Sequence, residues 1–132
     1  EVLVEALDER LRREFTFEIS IGDVEVFETT NVIYLDLRHG RDEIERLHRT
    51  LSAGAFAYDE PFLFHPHITL AQQISTADLP GKLALARERW AQYPHSRQFT
   101  LDHLTFVQNV DPNYWRTLSE HPLQEATLLK TV

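Results

Sequence analysis

Phe62-Leu63-Phe64-His65-Pro66-His67-Ile68-Thr69-Leu70-Ala71 runs from an aromatic approach into a segment in which apolar and polar residues alternate. Alternation with period two predicts a half-buried β-strand, with Ile68 and Leu70 packed into a core and His67 and Thr69 together on the other face. At about 3.3 Å per residue the two Cα atoms stand roughly 6.6 Å apart, so an imidazole and a hydroxyl can converge on one group the size of a phosphate. The apolar face would hold the strand rigid, as a positioned reactive group requires. A three-residue His-x-Thr pattern also arises by chance on any strand with one polar face, so its setting has to carry the argument.

Upstream, Asn31-Val32-Ile33-Tyr34-Leu35-Asp36-Leu37 is rich in β-branched and aromatic residues and predicts a strand, with Val32, Tyr34 and Asp36 opposite Ile33, Leu35 and Leu37. Ile44, Leu47 and Leu51 then mark a helix from Arg41 or Asp42, with acidic residues in its first turn and Gly54 as its stop. Strand, helix, Glu60-Pro61 and the His-x-Thr strand in this order resemble the second signature motif of the two-histidine (2H) phosphoesterases, the superfamily of the 2′-5′ RNA ligases and cyclic phosphodiesterases.

The resemblance covers most of the chain. It implies an α+β, bilobal fold in which antiparallel sheets form a central groove with helices packed outside. It also implies two His-x-Thr/Ser motifs, one histidine acting as general base and the other as acid, with hydroxyls holding the phosphoryl oxygens and no metal or other cofactor. Carried over by position, His67 is the acid or base and Thr69 the phosphate ligand. Tyr34, Phe64, His65 and Trp115 are further groove candidates, although Tyr34 and Trp115 sit in strand-like segments where aromatics mostly fill core. The substrate would be a small cyclic nucleotide or an RNA terminus.

One half of the pattern is missing. No histidine precedes His39, so the first motif is expected in an N-terminal segment outside this sequence, in keeping with the absence of Met and the abrupt start, or to have been lost. His103-Leu104-Thr105 repeats the pattern, but only one helix and one returning strand fit between it and His67. A polar residue at a strand bulge explains it better than a second motif.

Composition limits the alternatives. A chain of 132 residues predicts a single domain, spanning 1–132, with a core of its own. A formal net charge of −8 argues against tracking along nucleic acid by counterion release, and no apolar run approaches the ~20 residues that span a bilayer. A cytoplasmic monomer is expected. The absence of Cys removes thiolate chemistry altogether.

Two rivals remain. His65 and His67 on one strand face could chelate zinc in a metal-dependent hydrolase, given a third ligand from Asp59, Glu60, His39 or His103. Alternatively the chain is a non-catalytic module that binds a nucleotide or RNA end.

The other elements follow from spacing. Leu3, Leu7 and Leu11 predict a helix to about Glu14. Phe15 to Ile21 predicts a strand, broken at Gly22-Asp23 before a short extension to Phe27. Leu79, Leu83, Ala86 and Trp90 predict a helix through about Tyr93, capped by Thr76, with Trp90 in the core. Gln98 to Asn109 predicts one strand with a bulge near His103, followed by a turn at Asp111-Pro112-Asn113. A last strand would use Trp115, Leu118 and Leu123 and end near Leu128 or Leu129. Asp36, close to Arg38 and Arg41, is expected to be solvated or paired with arginine.

Overall fold

The computed structural model describes residues 2–57, 60, 63–112 and 114–125. Asp59, Phe62, Asn113, Leu128 and Leu129 lie outside the described residues. The elements in order are α1 (Val2–Leu11), β1 (Phe17–Phe27), β2 (Val32–His39), α2 (Arg41–Leu51), a 3-10 turn (Gly54–Phe56), β3 (His67–Ala71), α3 (Leu79–Ala91), β4 (Gln98–Leu101), β5 (His103–Asp111) and β6 (Tyr114–Pro122). Strands β3-β2-β1-β4 form one sheet in that order, and β5 and β6 form an antiparallel pair. The α+β class expected from the sequence is what the chain adopts. No described helix is long and apolar enough to cross a membrane.

The chain divides into two compact units. The first comprises Glu1–Phe17, Leu47–Tyr58 and Thr100–Val132, the second Glu18–Arg46 and Asp59–Phe99. In the second unit, β1 with β2 and β2 with β3 pair antiparallel. Val24, Ile33 and Leu35 join Ile74 in a buried cluster, and Leu79, Leu83, Ala86 and Trp90 of α3 pack against it. The four-three-four spacing of those α3 residues makes a single apolar stripe, which is why this helix covers that face of the sheet. Trp90 is a core residue as expected, and its Nε1–H donates to the Gly22 carbonyl at 2.9 Å. The opposite sheet face carries Tyr34, Asp36, His67 and Thr69.

In the first unit, Leu11, Leu47 and Leu123 form the core, with Phe17, Leu51, Leu101 and Leu104 around it. His121 is the buried polar residue among those described. It is clamped between Asp8 of α1 (Nδ1 to Oδ1, 2.6 Å) and Ser119 of its own strand (Nε2 to Oγ, 2.7 Å).

Several expected boundaries moved. α1 stops at Leu11, and Leu3 is half exposed. The break at Gly22-Asp23 is a register irregularity inside one continuous β1. A Cβ on Gly22 would come within 3.3 Å of the Asp36 carbonyl oxygen, so this glycine permits a close approach of backbones rather than a turn. Gly54 does not stop α2, which has already ended at Leu51; at φ +63° it opens the 3-10 turn. Asp78, not Thr76, is the N-cap of α3; its side chain makes no cap hydrogen bond, and its N–H donates to the Ser75 hydroxyl at 3.2 Å.

The strand predicted over Gln98 to Asn109 is two strands in two different sheets, interrupted at Asp102, whose carbonyl accepts the Leu123 N–H. β6 ends at Pro122, where the ring removes the donor a longer ladder would need. Leu70 is 45% exposed instead of buried. The register explains it: Tyr34 faces Thr69 and Ile33 faces Ala71, so Leu70 is the extra residue of a bulge and Ala71 takes the core position.

Candidate functional site

A cavity of about 380 Å³ opens on the second unit, and its polar lining is His65, His67, Thr69, Thr29, Thr30 and Gln72. Phe27, Val32 and Leu63 complete its wall. The sequence brings His67 and Thr69 to one face through the period of β3, in register with Asp36 and Tyr34 of β2.

Beneath them, Tyr34 stacks on Phe27 with ring centroids 3.9 Å apart. Both rings make T-shaped contacts with His65 and His67 at centroid distances of 5.0 to 5.4 Å. Tyr34 is buried, so it is the floor under the two imidazoles rather than a stacking platform open to a ligand. Burial, and then the nearby carboxylates of Asp36 and Glu25, push its phenol above the ordinary tyrosine range; the weaker opposing pull is from Arg41.

Hydrogen-bond partners select the tautomer of each imidazole. His67 Nδ1 lies 2.5 Å from the His65 carbonyl oxygen. A carbonyl only accepts, so Nδ1 carries the proton and Nε2 is left as the lone-pair nitrogen of the neutral ring.

His65 is held from both sides. Arg41 Nη2 donates to its Nδ1 at 3.2 Å, and its Nε2–H donates to Asp36 Oδ1 at 3.2 Å. Arg41 also reaches Asp36 Oδ1 at 3.4 Å, and the same oxygen accepts the Leu37 N–H at 3.0 Å. A guanidinium takes no proton and offers only donors, so His65 has no lone pair left for a metal ion in this arrangement.

Asp36 does pair with an arginine as expected, but it also holds His65, a link that twenty-nine residues of separation conceal. Phe64, another groove candidate, is 39% exposed and is not among the described residues lining the cavity. Trp115 lies in the first unit on β6 and is 58% exposed, so it does not fill core. An edge strand of a two-stranded sheet has a face that nothing in its own pair can cover. His103 and Thr105 are exposed residues of β5 in that unit, with His103 Nδ1 2.7 Å from Asp102 Oδ1.

Thr29, Thr30 and Gln72 were not anticipated. They belong to two turns that the fold ties together: Asn31, at φ +56°, donates from Nδ2 to the Ile74 carbonyl at 3.1 Å. Gln73 beside it also adopts a left-handed conformation, φ +58°. Asn31 as a residue tolerant of that region is the one local signal that could have marked the turn.

Residues 1–113 match the family model described as the 2'-5' RNA ligase superfamily. The chain belongs to this superfamily. Among similar proteins, "Putative phosphoesterase GK0864" of Geobacillus kaustophilus (strain HTA426) is 44% identical over 55 residues, 42% of this chain and 28% of that protein. A "Putative phosphoesterase" of Geobacillus thermodenitrificans (strain NG80-2) is 34% identical over 86 residues, 64% of this chain and 41% of that protein. A third relative, from Geobacillus sp. (strain WCH70), is 27% identical over 92 residues, 67% of this chain and 49% of its own. The chain thus spans less than half the length of the curated relatives it matches.

Proposed function

We propose that this superfamily member acts on 2′,3′-cyclic or 2′-5′ phosphodiesters, at RNA ends or in small nucleotides, by metal-independent hydrolysis or its reverse. The observation that carries the reading is the pairing in one cavity of Thr69 with His67, whose Nδ1 is tied to a backbone carbonyl and whose Nε2 is the nitrogen left for proton transfer.

In the hydrolytic direction, water attacks phosphorus and gives up a proton while a P–O bond to the ribose breaks and its oxygen receives one. His67 handles one of these protons at Nε2, and histidine suits either task near neutral pH. Thr69 donates its hydroxyl hydrogen to a non-bridging oxygen as charge builds in the transition state. The first His-x-Thr/Ser motif of the family, which this sequence lacks ahead of Asn31, is the expected carrier of the second proton.

The lining favours a phosphodiester over a phosphomonoester. Among the described lining residues the polar groups are hydroxyls, an amide and imidazoles, with no guanidinium or ammonium group. Such a set matches a single negative charge better than two.

The test is release of nucleoside monophosphate from a 2′,3′-cyclic nucleotide in EDTA. It would be run on this chain, on the complete gene product wherever that extends further, and on each with His67→Ala. Turnover that His67→Ala abolishes is the expected result. Binding without turnover in every sample would favour the non-catalytic module, and turnover lost on adding EDTA would overturn the metal-independent reading.

A further inference from the structure

His67 owes its orientation to a residue that does no chemistry itself. The carbonyl that receives its Nδ1–H belongs to His65, which precedes β3 and so lies outside the sheet's ladder. What fixes His65 is its own ring: Arg41 donates to one nitrogen and Asp36 accepts from the other, while the Phe27 and Tyr34 rings make T-shaped contacts with it. Pro66, buried, sets the backbone between the two histidines.

We propose that Asp36, Arg41 and His65 form a positioning relay that locks the His65 carbonyl in place and thereby holds His67 in its Nδ1–H tautomer, with Nε2 available to the cavity. The proposal rests on the reading of His67 as the proton-transfer residue and adds two positions to the site, Asp36 and Arg41, which do not line the cavity.

The relay has a defined polarity. Arg41 can only donate, so it requires a lone pair at His65 Nδ1; this forces the His65 proton onto Nε2, where the Asp36 carboxylate accepts it. Arg41 is itself anchored, its Nη1 3.4 Å from Asp36 and its Nε 3.8 Å from Glu45 one turn along α2. Removing the guanidinium frees the His65 ring to rotate and its carbonyl to turn away. His67 Nδ1 then loses its acceptor, and both tautomers of that ring become populated.

The experiment compares wild type, Arg41→Met and Arg41→Lys. Arg41→Met keeps the aliphatic stem and removes every donor, while Arg41→Lys restores one. Long-range proton–nitrogen NMR of the imidazoles reports the tautomer of His67 directly and does not depend on activity. Wild type should show a protonated Nδ1 and a bare Nε2, Arg41→Met a mixture, and Arg41→Lys a return towards wild type. With 2′,3′-cyclic AMP as substrate, kcat of Arg41→Met should fall by about 10–100-fold, with KM little changed, because misplacement of a reacting group costs rate more than affinity.

An unaltered His67 spectrum in folded Arg41→Met overturns the relay whatever the activity. If the wild-type complete gene product does not turn over the cyclic nucleotide, the hydrolase reading falls, and the spectra still decide the relay by themselves.

Discussion

Replacing Gly40 by alanine should be among the most damaging single-methyl changes in this chain. Gly40 joins β2 to α2 at φ +88°, a conformation that L side chains rarely adopt, and it sets the direction in which Arg41 leaves the sheet. A Cβ there would lie 2.5 Å from Ile19 Cδ1 and 2.6 Å from the Glu18 carbonyl oxygen. Neither neighbour can yield cheaply, since Ile19 is fully buried and the carbonyl is backbone.

The left-handed conformation costs about 1 kcal/mol for alanine and the overlap adds about 1–3 kcal/mol, a loss of about 2–4 kcal/mol. For a chain of this length that lowers Tm by roughly 8–15 °C. Gly81 in α3 is the control, because a Cβ there meets nothing within 4 Å and helix propensity alone acts. Gly81→Ala should raise stability by about 0.5–1 kcal/mol. Urea unfolding followed by circular dichroism measures both. A Gly40→Ala protein as stable as wild type, or a Gly81→Ala protein damaged as badly as Gly40→Ala, would refute the reasoning.

His121→Ala should cost about 2–4 kcal/mol by urea unfolding, because it opens a hole and takes the ring partner from Ser119 Oγ, while the Asp8 carboxylate, 58% exposed, turns to water. Loss of hydrogen-exchange protection should centre on β5 and β6, and an undisturbed hairpin would contradict this. The raised pKa of Tyr34 makes its neutral phenol a stabilising form. That contribution is fully present below the unfolded-state value near 10 and is lost as pH rises through the folded value. Tyr34→Phe should therefore flatten the alkaline fall of stability above about pH 10, and an identical fall in wild type and variant would rule the effect out.

What the sequence disclosed and what it concealed divide along one physical line. Periodicity placed His67 and Thr69 on one face, put the α3 stripe on the core and named Trp90 as part of it, because each of these is decided within a single element. The register of β3 was not decided locally, so the bulge that exposes Leu70 stayed hidden.

The break at Asp102 was equally concealed. Strands β4 and β5 are contiguous in sequence and each has a strand-like composition; what separates them is the choice of partner, β1 for one and β6 for the other. Asp36, Arg41 and His65 come from a strand, a helix and a loop, and their convergence is a product of β2–β3 pairing rather than of any short motif. Thr29, Thr30 and Gln72 come from turns that are distant in sequence and that the Asn31 side chain ties together.

Titration of the ¹⁵N-labelled chain with 2′,3′-cyclic AMP in EDTA tests the central claim most directly, since it reports where a phosphodiester binds whether or not turnover follows. The account predicts saturable shifts confined to the amides of Thr29, Thr30, His67, Thr69 and Gln72, lost in Thr69→Ala. Saturable shifts centred instead on the apolar groove of Leu70, Leu85 and Tyr93, or no shifts at any concentration, would contradict it.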